Sequence, residues 1–308
     1  MAIAVLRNDD KTNAWRSLLR SKAPDIPVYD YKDSFPKEEI RMAAVWKHPA
    51  GSLSAFPNLL GIQGLGAGVD FILEDPDADP GIPVMRVVDP YLASDMAEYV
   101  LAQIMAYLRG LYVHASDKGQ KKWNPAPYRR IEDLRVGIMG MGQLGTAVAG
   151  LLGRTGFRVQ GWARTPKNAS VEVYHGPKGL PDFLQQSDVL VCLLPLTPET
   201  QGILSASLLE GLPQGAFLIN VARGPLLVDQ DLIDALDTGR LSAACLDVFH
   251  QEPLPREHLF WEHPNVWITP HVASVTDPDS VADQVIRNYR ALIEGRPPEN
   301  LIDRRKGY

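Results

Sequence analysis

Residues Leu134 to Gly145, LRVGIMGMGQLG, constrain this chain more than any other stretch. Val136, Ile138 and Met139 make an apolar run of strand length. Gly140, Gly142 and Gly145 then fall at G-x-G-x-x-G spacing, ahead of a helix-like TAVAGLLGRTG. Each glycine has a physical reason in a strand–turn–helix unit. Gly140 permits the sharp turn, Gly142 lets an anion approach bare backbone, and Gly145 allows helix and strand to pack closely. Met141, Gln143 and Leu144 fill the positions between. The N-terminus of the following helix presents unbonded N–H groups and a positive dipole end, which favour a pyrophosphate. In a chain with 25 glycines such a triplet can arise by chance, so the context carries the inference. Gly156 closes the helix and Phe157 to Ala163 (FRVQGWA) reads as a second strand, completing the start of a βαβ unit.

Short apolar runs recur downstream at Asp188 to Leu194, Ala216 to Asn220, Ala243 to Val248 and Val266 to Thr269, separated by helical or turn-rich stretches. That alternation predicts an α/β fold with a doubly wound parallel sheet. Upstream, Ile3 to Leu6, Pro27 to Tyr31 and Ala43 to Trp46 read as strands and Thr12 to Leu19 as a helix. The stretches PNLLGIQGLGAGVDFI and IPVMRVVDP extend this smaller unit to about residue 90. After Asp89-Pro90 a long helix is expected from Ser94 to Ala115, with Asp95 and Glu98 at capping-box spacing and Val100, Ile104 and Leu108 on one face. Ser116 to Pro127 reads as a polar surface connection. The last helix, Asp279 to Glu294, carries Val281, Val285, Ile286, Tyr289 and Ile293 at helical spacing and returns to the first unit. The expectation is therefore two Rossmann-like doubly wound parallel-sheet domains: a discontinuous one over 1–92 and 276–308, and a nucleotide-binding one over 93–275.

Composition narrows the function classes. The 308 residues are 45% hydrophobic and 22% charged, enough for two real cores. A net charge of −6 without a basic block argues against nucleic acid as a partner. No apolar run approaches a membrane span, the amino end lacks a signal h-region, and the carboxyl end carries no peroxisomal or retention signal. Cys192 and Cys245 lie in apolar strand-like runs, as buried thiols do in a reducing compartment, so a cytoplasmic protein is expected. His114, His175, His250, His258 and His263 show no ligand spacing with acids or cysteines, and no metal is assigned.

The second strand of the nucleotide unit bears on the cofactor. Folds that prefer NAD place an acid at its end, which holds the ribose hydroxyls and repels a 2′-phosphate. Here Ala163 stands in that place, followed by Arg164, Thr165 and Lys167. A guanidinium fork, a hydroxyl and an ammonium suit a phosphate dianion, so NADP(H) is the expected cofactor, with NAD(H) possible.

Three later stretches place polar residues where a core would not ask for them: INVARGPLLVD, LDVFHQEPLP and ITPHVAS. They supply Arg223, Glu252 and His271. Arg223 offers fixed donors for a 2-keto carboxylate and its carbonyl oxygen. His271 can deliver a proton near neutral pH, and Glu252 can orient it. Singly, each has a plainer reading: an interface ion-pair partner, a surface carboxylate and a satisfied core histidine.

With these stretches the chain resembles the D-isomer-specific 2-hydroxyacid dehydrogenase family over nearly its whole length. The resemblance rests on Gly140 to Gly145, Leu193-Leu194-Pro195-Leu196-Thr197-Pro198-Glu199-Thr200, Asn220-Val221-Ala222-Arg223-Gly224, Leu246-Asp247-Val248-Phe249 with Glu252-Pro253, and Pro270-His271, all in the family's order. Within it, Val45-Trp46-Lys47, Trp162-Ala163-Arg164-Thr165 and the terminal Asp303-Arg304 with Gly307-Tyr308 resemble the glyoxylate/hydroxypyruvate reductase A branch. The resemblance implies that Arg223 binds the substrate's carboxylate and carbonyl, that Glu252 partners His271, and that His271 is the general acid. It also implies that Leu194, Pro195, Val221, Ala222 and Asp247 line the cofactor, Asp247 on the nicotinamide side. In the first unit, backbone at Gly66, Ala67 and Gly68 would take the substrate carboxylate, Trp46 would wall the pocket, and His48 would be a bystander. The implied activity is NADPH-dependent reduction of glyoxylate and hydroxypyruvate by a homodimer, with the Ser94 to Ala115 helix at its two-fold interface. Two rivals stay open on the sequence. One is a family member that reduces a bulkier 2-keto acid such as phenylpyruvate, or prefers NADH; the other is a nucleotide-sensing binding protein of the corepressor type.

Overall fold

The computed structural model describes residues 1–9, 11–125 and 128–307. In chain order its elements are β1 (Ala2–Arg7), α1 (Thr12–Lys22), β2 (Val28–Asp30), β3 (Ile40–Trp46), β4 (Gly61–Gly64), α2 (Asp70–Leu73) and β5 (Val84–Met85). There follow α3 (Pro90–Leu108), α4 (Leu111–Gly119), β6 (Arg135–Met139), α5 (Gln143–Arg154), β7 (Arg158–Ala163), β8 (Glu172–His175) and α6 (Gly176–Gln185). The remainder is β9 (Val189–Cys192), α7 (Ala206–Glu210), β10 (Ala216–Asn220), α8 (Asp229–Asp237), β11 (Leu241–Leu246), β12 (Val266–Ile268) and α9 (Pro278–Ile293). The chain divides into two units, Met1–Leu92 with Thr276–Tyr308, and Ala93–Val275.

The second unit is a seven-stranded sheet in the order β12-β11-β10-β9-β6-β7-β8, parallel throughout. Helices cover both faces, so β9 and β10 are wholly buried, which is why their sequences read as unbroken apolar runs. One face packs Phe183, Leu190, Leu218 and Leu232; the other packs Val100, Ile104, Ile138, Val148 and Phe217. On that second face the ring of Tyr107, from α3, stacks on Phe217 with centroids 4.4 Å apart, an arrangement worth about 0.5–1.5 kcal/mol beyond the area it buries. The strand order turns back at β6, which has β7 on one side and β9 on the other. The carboxyl ends of β6 and β9 are therefore the place where an open α/β sheet takes its ligand. Both cysteines are buried in this unit, and burial pushes each thiol up to about 12.

The first unit is a five-stranded parallel sheet in the order β2-β1-β3-β4-β5. One face packs Leu6, Val45, Phe56, Ile62 and Ile72. The carboxyl-terminal α9 packs on α1 and on β3 and β4, and it buries Val281, Val285 and Tyr289. Asp277 caps α9 by accepting the Asp279 N–H at 3.1 Å, with Pro278 in the first turn, where its missing N–H costs nothing. Inside, Asn288 of α9 donates to Gln63 Oε1 of β4 at 2.8 Å, both side chains fully buried, which joins the returning segment to the sheet.

The structure corrects the helix expected over Ser94 to Ala115. α3 already begins at Pro90, and its first turn is held by Asp89, which accepts the Tyr91 N–H at 3.2 Å; Asp95 and Glu98 lie inside the helix and form no capping box. The helix stops at Leu108, and Gly110 takes φ +63 before α4 begins. Ser116 to Gly119, expected in a connection, are the last turn of α4. Ala126 and Pro127 of that expected connection, and Tyr308 of the terminal motif, lie outside the described residues. The sequence reading also lacked β8, a four-residue edge strand whose outer residues Glu172 and His175 are exposed.

Candidate active site

The glycine turn sits at the switch in strand order. Gly140 follows β6 with φ +108, and a Cβ there would lie 2.6 Å from the Leu193 carbonyl oxygen, just past β9. Leu193 donates its N–H to Met139 O at 2.8 Å, closing this end of the sheet. A Cβ on Gly145 would strike the Gly140 carbonyl, so the close approach of α5 depends on glycine. Gly142, the residue before α5, differs: a Cβ there would meet nothing within 4 Å. Thr146 N–H donates to Gly142 O at 2.9 Å as the first bond of α5, which leaves the N–H groups of Gln143, Leu144 and Gly145 without an intrahelical partner. Open space at Gly142 beside unbonded donors fits a pyrophosphate. Met141 turns its side chain into the core against Gly161, so only its backbone serves the turn.

β7 ends at the buried Ala163, and Arg164, Thr165 and Lys167 follow, all exposed. No carboxylate stands at the strand end, which fits a 2′-phosphate better than a bare ribose. Glu199, which the sequence offers only as part of a motif, lies near Arg164. The Glu199 carboxyl is held below the usual range, mainly by the Thr197 hydroxyl and also by the positive charge of Arg164. Leu194, Val221 and Ala222 are buried and Pro195 half-buried, at the ends of β9 and β10.

Arg223, Glu252 and His271 follow three neighbouring strands, β10, β11 and β12. After β10 the chain turns sharply: Asn220 Oδ1 accepts the Ala222 N–H at 3.2 Å and Asn220 Nδ2 donates to Arg223 O at 3.0 Å. Arg223 donates from Nη1 to Ala222 O at 2.6 Å. A Cβ on Gly224 would collide with the Phe249–His250 backbone, so glycine here lets the loop after β11 lie against the Arg223 turn. That loop is pinned twice. Phe249 N–H donates to Glu252 Oε1 at 3.1 Å, and His250 Nε2 lies 2.9 Å from Leu227 O. The other Glu252 oxygen, Oε2, is 2.8 Å from His271 Nδ1, with 19% and 27% of the two side chains exposed. A carboxylate only accepts, so Nδ1 carries the shared hydrogen and Nε2 is the nitrogen that can exchange a proton with a ligand. His271 has φ +55, a left-handed backbone rare outside glycine and costing about 1–3 kcal/mol, which the surrounding structure must offset. Asp247 is buried, and its carboxylate accepts from Thr269 Oγ1 at 2.6 Å and from the N–H groups of Val272 and Ala273 at 2.9 Å.

In the first unit, Trp46 ends β3 and packs edge-on to Phe71, with centroids 5.7 Å apart. A Cβ on Gly66 would run into the Trp46 ring, so these two positions are matched in size. Leu65 N–H donates to Val45 O at 2.9 Å and Val87 N–H to Gly66 O at 3.0 Å, which fix the turn that continues through the half-buried Ala67 and Gly68. His48, beside Trp46 in sequence, is buried in a structural pair: its Nε2 donates to Asp75 Oδ2 at 2.8 Å, with side chains only 1% and 3% exposed. Burial works against the Asp75 charge, but the Asp77 N–H, His48 and the Gly51 N–H together hold its carboxyl below the usual range. Among the described residues no group of three or more His, Cys, Asp or Glu is placed to hold a metal, and no helix is long and apolar enough to cross a membrane.

Comparison with known proteins identifies the family. Residues 101–273 match the model of the D-isomer specific 2-hydroxyacid dehydrogenase NAD binding domain. The chain is 40% identical over 302 residues to glyoxylate/hydroxypyruvate reductase A of Yersinia enterocolitica, covering 96% of each chain. A crystal structure of a D-isomer specific 2-hydroxyacid dehydrogenase from Xanthobacter autotrophicus, in complex with NADPH and MES, is 40% identical and superposes with a TM-score of 0.94, covering 100% of this chain and 99% of that one. The NADPH-dependent glyoxylate/hydroxypyruvate reductase of Sinorhizobium meliloti, in complex with NADP and sulfate, is 35% identical with a TM-score of 0.90 and the same coverage.

Proposed function

The chain belongs to the D-isomer-specific 2-hydroxyacid dehydrogenase family, and we propose that within it the protein reduces small 2-keto acids with NADPH, glyoxylate to glycolate and hydroxypyruvate to D-glycerate. The observation that carries the mechanism is the 2.8 Å contact between His271 Nδ1 and Glu252, with Arg223 on the neighbouring strand end. When bound, NADPH supplies the hydride that the carbonyl carbon receives. His271, its Nδ1–H engaged by Glu252, passes the proton on Nε2 to the forming alkoxide. Glu252, itself fixed by the Phe249 N–H, keeps the ring oriented. Arg223 binds the substrate carboxylate and the carbonyl oxygen, where it meets the developing negative charge; a donor of this kind is typically worth about 2.7–4 kcal/mol.

The residues that would hold the cofactor are the turn Gly140 to Gly145 for the pyrophosphate and Arg164, Thr165 and Lys167 for the 2′-phosphate. Leu194, Pro195, Val221, Ala222 and Asp247 would border the remainder. The second unit is then the NADP-binding domain and the first the substrate-binding domain, contributing Trp46 and the N–H groups of Gly66, Ala67 and Gly68. We assign the protein to the cytoplasm as a homodimer, without a nucleic-acid or membrane partner. The buried free thiols and the net charge of −6 support the compartment and the choice of partner, and family resemblance supports the dimer.

The test is a substrate panel. NADPH oxidation is followed with glyoxylate, hydroxypyruvate, pyruvate and phenylpyruvate, and the series is repeated with NADH. Fast turnover with NADPH and the two small acids is expected. Turnover with phenylpyruvate alone, or with NADH alone, would overturn the substrate or the cofactor assignment, and no turnover with any acid would leave a nucleotide-sensing role.

A further inference from the structure

The segment carrying His271 is held by side chains that the chemistry of reduction does not itself need. The three groups donating to Asp247, Thr269 Oγ1 and the N–H groups of Val272 and Ala273, lie on both sides of His271 in sequence. His271 N–H also donates to Thr269 O at 3.1 Å. The chain of contacts continues away from the site. The Tyr99 hydroxyl of α3, 170 residues distant in sequence, is 2.5 Å from Thr269 Oγ1, and it lies 3.4 Å from Cys245 Sγ of β11.

The polarity of this chain follows from the groups in it. A carboxylate only accepts, so Thr269 spends its hydrogen on Asp247 and its oxygen must accept from Tyr99. Tyr99 is then the donor, and its own oxygen accepts from the Cys245 thiol. Both groups keep their protons at neutral pH, since burial raises the tyrosine well above its ordinary value and pushes the thiol up to about 12. The links run in one direction, and each oxygen has its hydrogen committed.

We propose that Tyr99 and Thr269 are positioning residues for the general acid: the directed chain from Tyr99 through Thr269 to Asp247 fixes residues 269–273 so that His271 keeps its left-handed backbone and its contact with Glu252. The inference rests on His271 as the proton donor. Packing alone would hold the segment as well with a valine at 269, which has nearly the same shape; the hydrogen-bond chain needs the hydroxyl. A displacement of the reacting group by even 1 Å is enough to slow a reaction by about a hundredfold, so a slackened segment shows first in kcat.

The experiment compares Thr269→Val, Thr269→Ser and Tyr99→Phe in the full-length protein. It measures kcat and KM with NADPH and glyoxylate, NADPH binding by fluorescence titration, and melting temperature. Thr269→Val and Tyr99→Phe are expected to lower kcat by about tenfold while KM for glyoxylate and Kd for NADPH stay within about threefold of wild type; Thr269→Ser should restore kcat to within about threefold. If Thr269→Val fails to fold, Tyr99→Phe and Thr269→Ser decide by the same criteria. A loss under threefold in the variants lacking the hydroxyl overturns the inference, as does a Thr269→Ser variant as slow as Thr269→Val, or a loss that appears as weakened NADPH binding. Wild-type protein inactive on every acid would instead overturn the functional reading, so the two failures are distinguishable.

Discussion

Alanine at Gly142 and alanine at Gly145 separate a glycine kept for a ligand from one kept for the fold. Gly142 has φ −88, open to any L-residue, and its Cβ would project into space with no protein atom within 4 Å. Alanine is a poorer N-cap than glycine by roughly half a kcal/mol. It also restricts the unfolded chain, which stabilises by about 0.4–1 kcal/mol, so the two effects nearly cancel. Gly142→Ala should therefore leave the melting temperature within about 3 °C of wild type. If the open space receives the pyrophosphate, the added methyl displaces it, and Kd for NADPH should rise at least about tenfold, or 1.4 kcal/mol. At Gly145 the new carbon would meet the Gly140 carbonyl, backbone that cannot step aside, and overpacking of this kind costs about 1–3 kcal/mol. Gly145→Ala should lower the melting temperature by several degrees whether or not NADPH is present. The pair is read by thermal melts followed by circular dichroism and by NADPH fluorescence titration. A Gly142→Ala protein that binds NADPH as wild type does, or that loses as much stability as Gly145→Ala, would refute the reasoning.

Other substitutions test other parts of the account. If Arg164 holds the 2′-phosphate as proposed, Arg164→Ala removes one charge-assisted contact worth about 1.5–3 kcal/mol, so Kd for NADPH should rise tenfold or more with NADH binding unchanged; equal losses for the two cofactors would reject a phosphate clamp. Gly66→Ala should destabilise the first unit through the Trp46 ring, and Gly66→Ala combined with Trp46→Ala should recover part of the loss in a thermal melt. For Asp75 the carboxyl is lower in the folded protein than in the unfolded chain, so its stabilisation is fully present above the ordinary carboxylate value near 3.9 and fades as pH falls through the lower folded value. Asp75→Asn should lower the melting temperature at pH 7 and flatten its fall below about pH 4; an unchanged acid limb would contradict this.

Much of the fold was legible because parallel strands buried on both faces carry near-continuous apolar runs and because the glycine turn has a fixed spacing. β9 and β10 are of that kind. The edge strand β8 was not, since half of its residues face water and it has only one neighbour. The break between α3 and α4 was missed because the apolar face from Val100 to Leu108 runs up to Gly110, and a lone glycine does not announce whether it bends a helix or sits within it. The candidate site divides in the same way. Arg223, Glu252 and His271 were visible as polar residues at strand ends, where a sheet of this class takes its ligands. Their supports were not, because those depend on partners distant in sequence: the Phe249–His250 backbone for Gly224, and Tyr99 for Thr269. Glu199 near Arg164 belongs to the same group. No spacing rule reports a contact that only tertiary packing creates.

The most direct test of the central claim, that His271 delivers the proton in reduction, is His271→Ala assayed for turnover of glyoxylate and, in parallel, for NADPH binding. General acid catalysis by a positioned side chain contributes about 10²–10⁴-fold, so kcat should fall by that factor while Kd for NADPH stays close to wild type. Turnover near the wild-type rate with NADPH still bound would remove His271 from the mechanism and contradict the account.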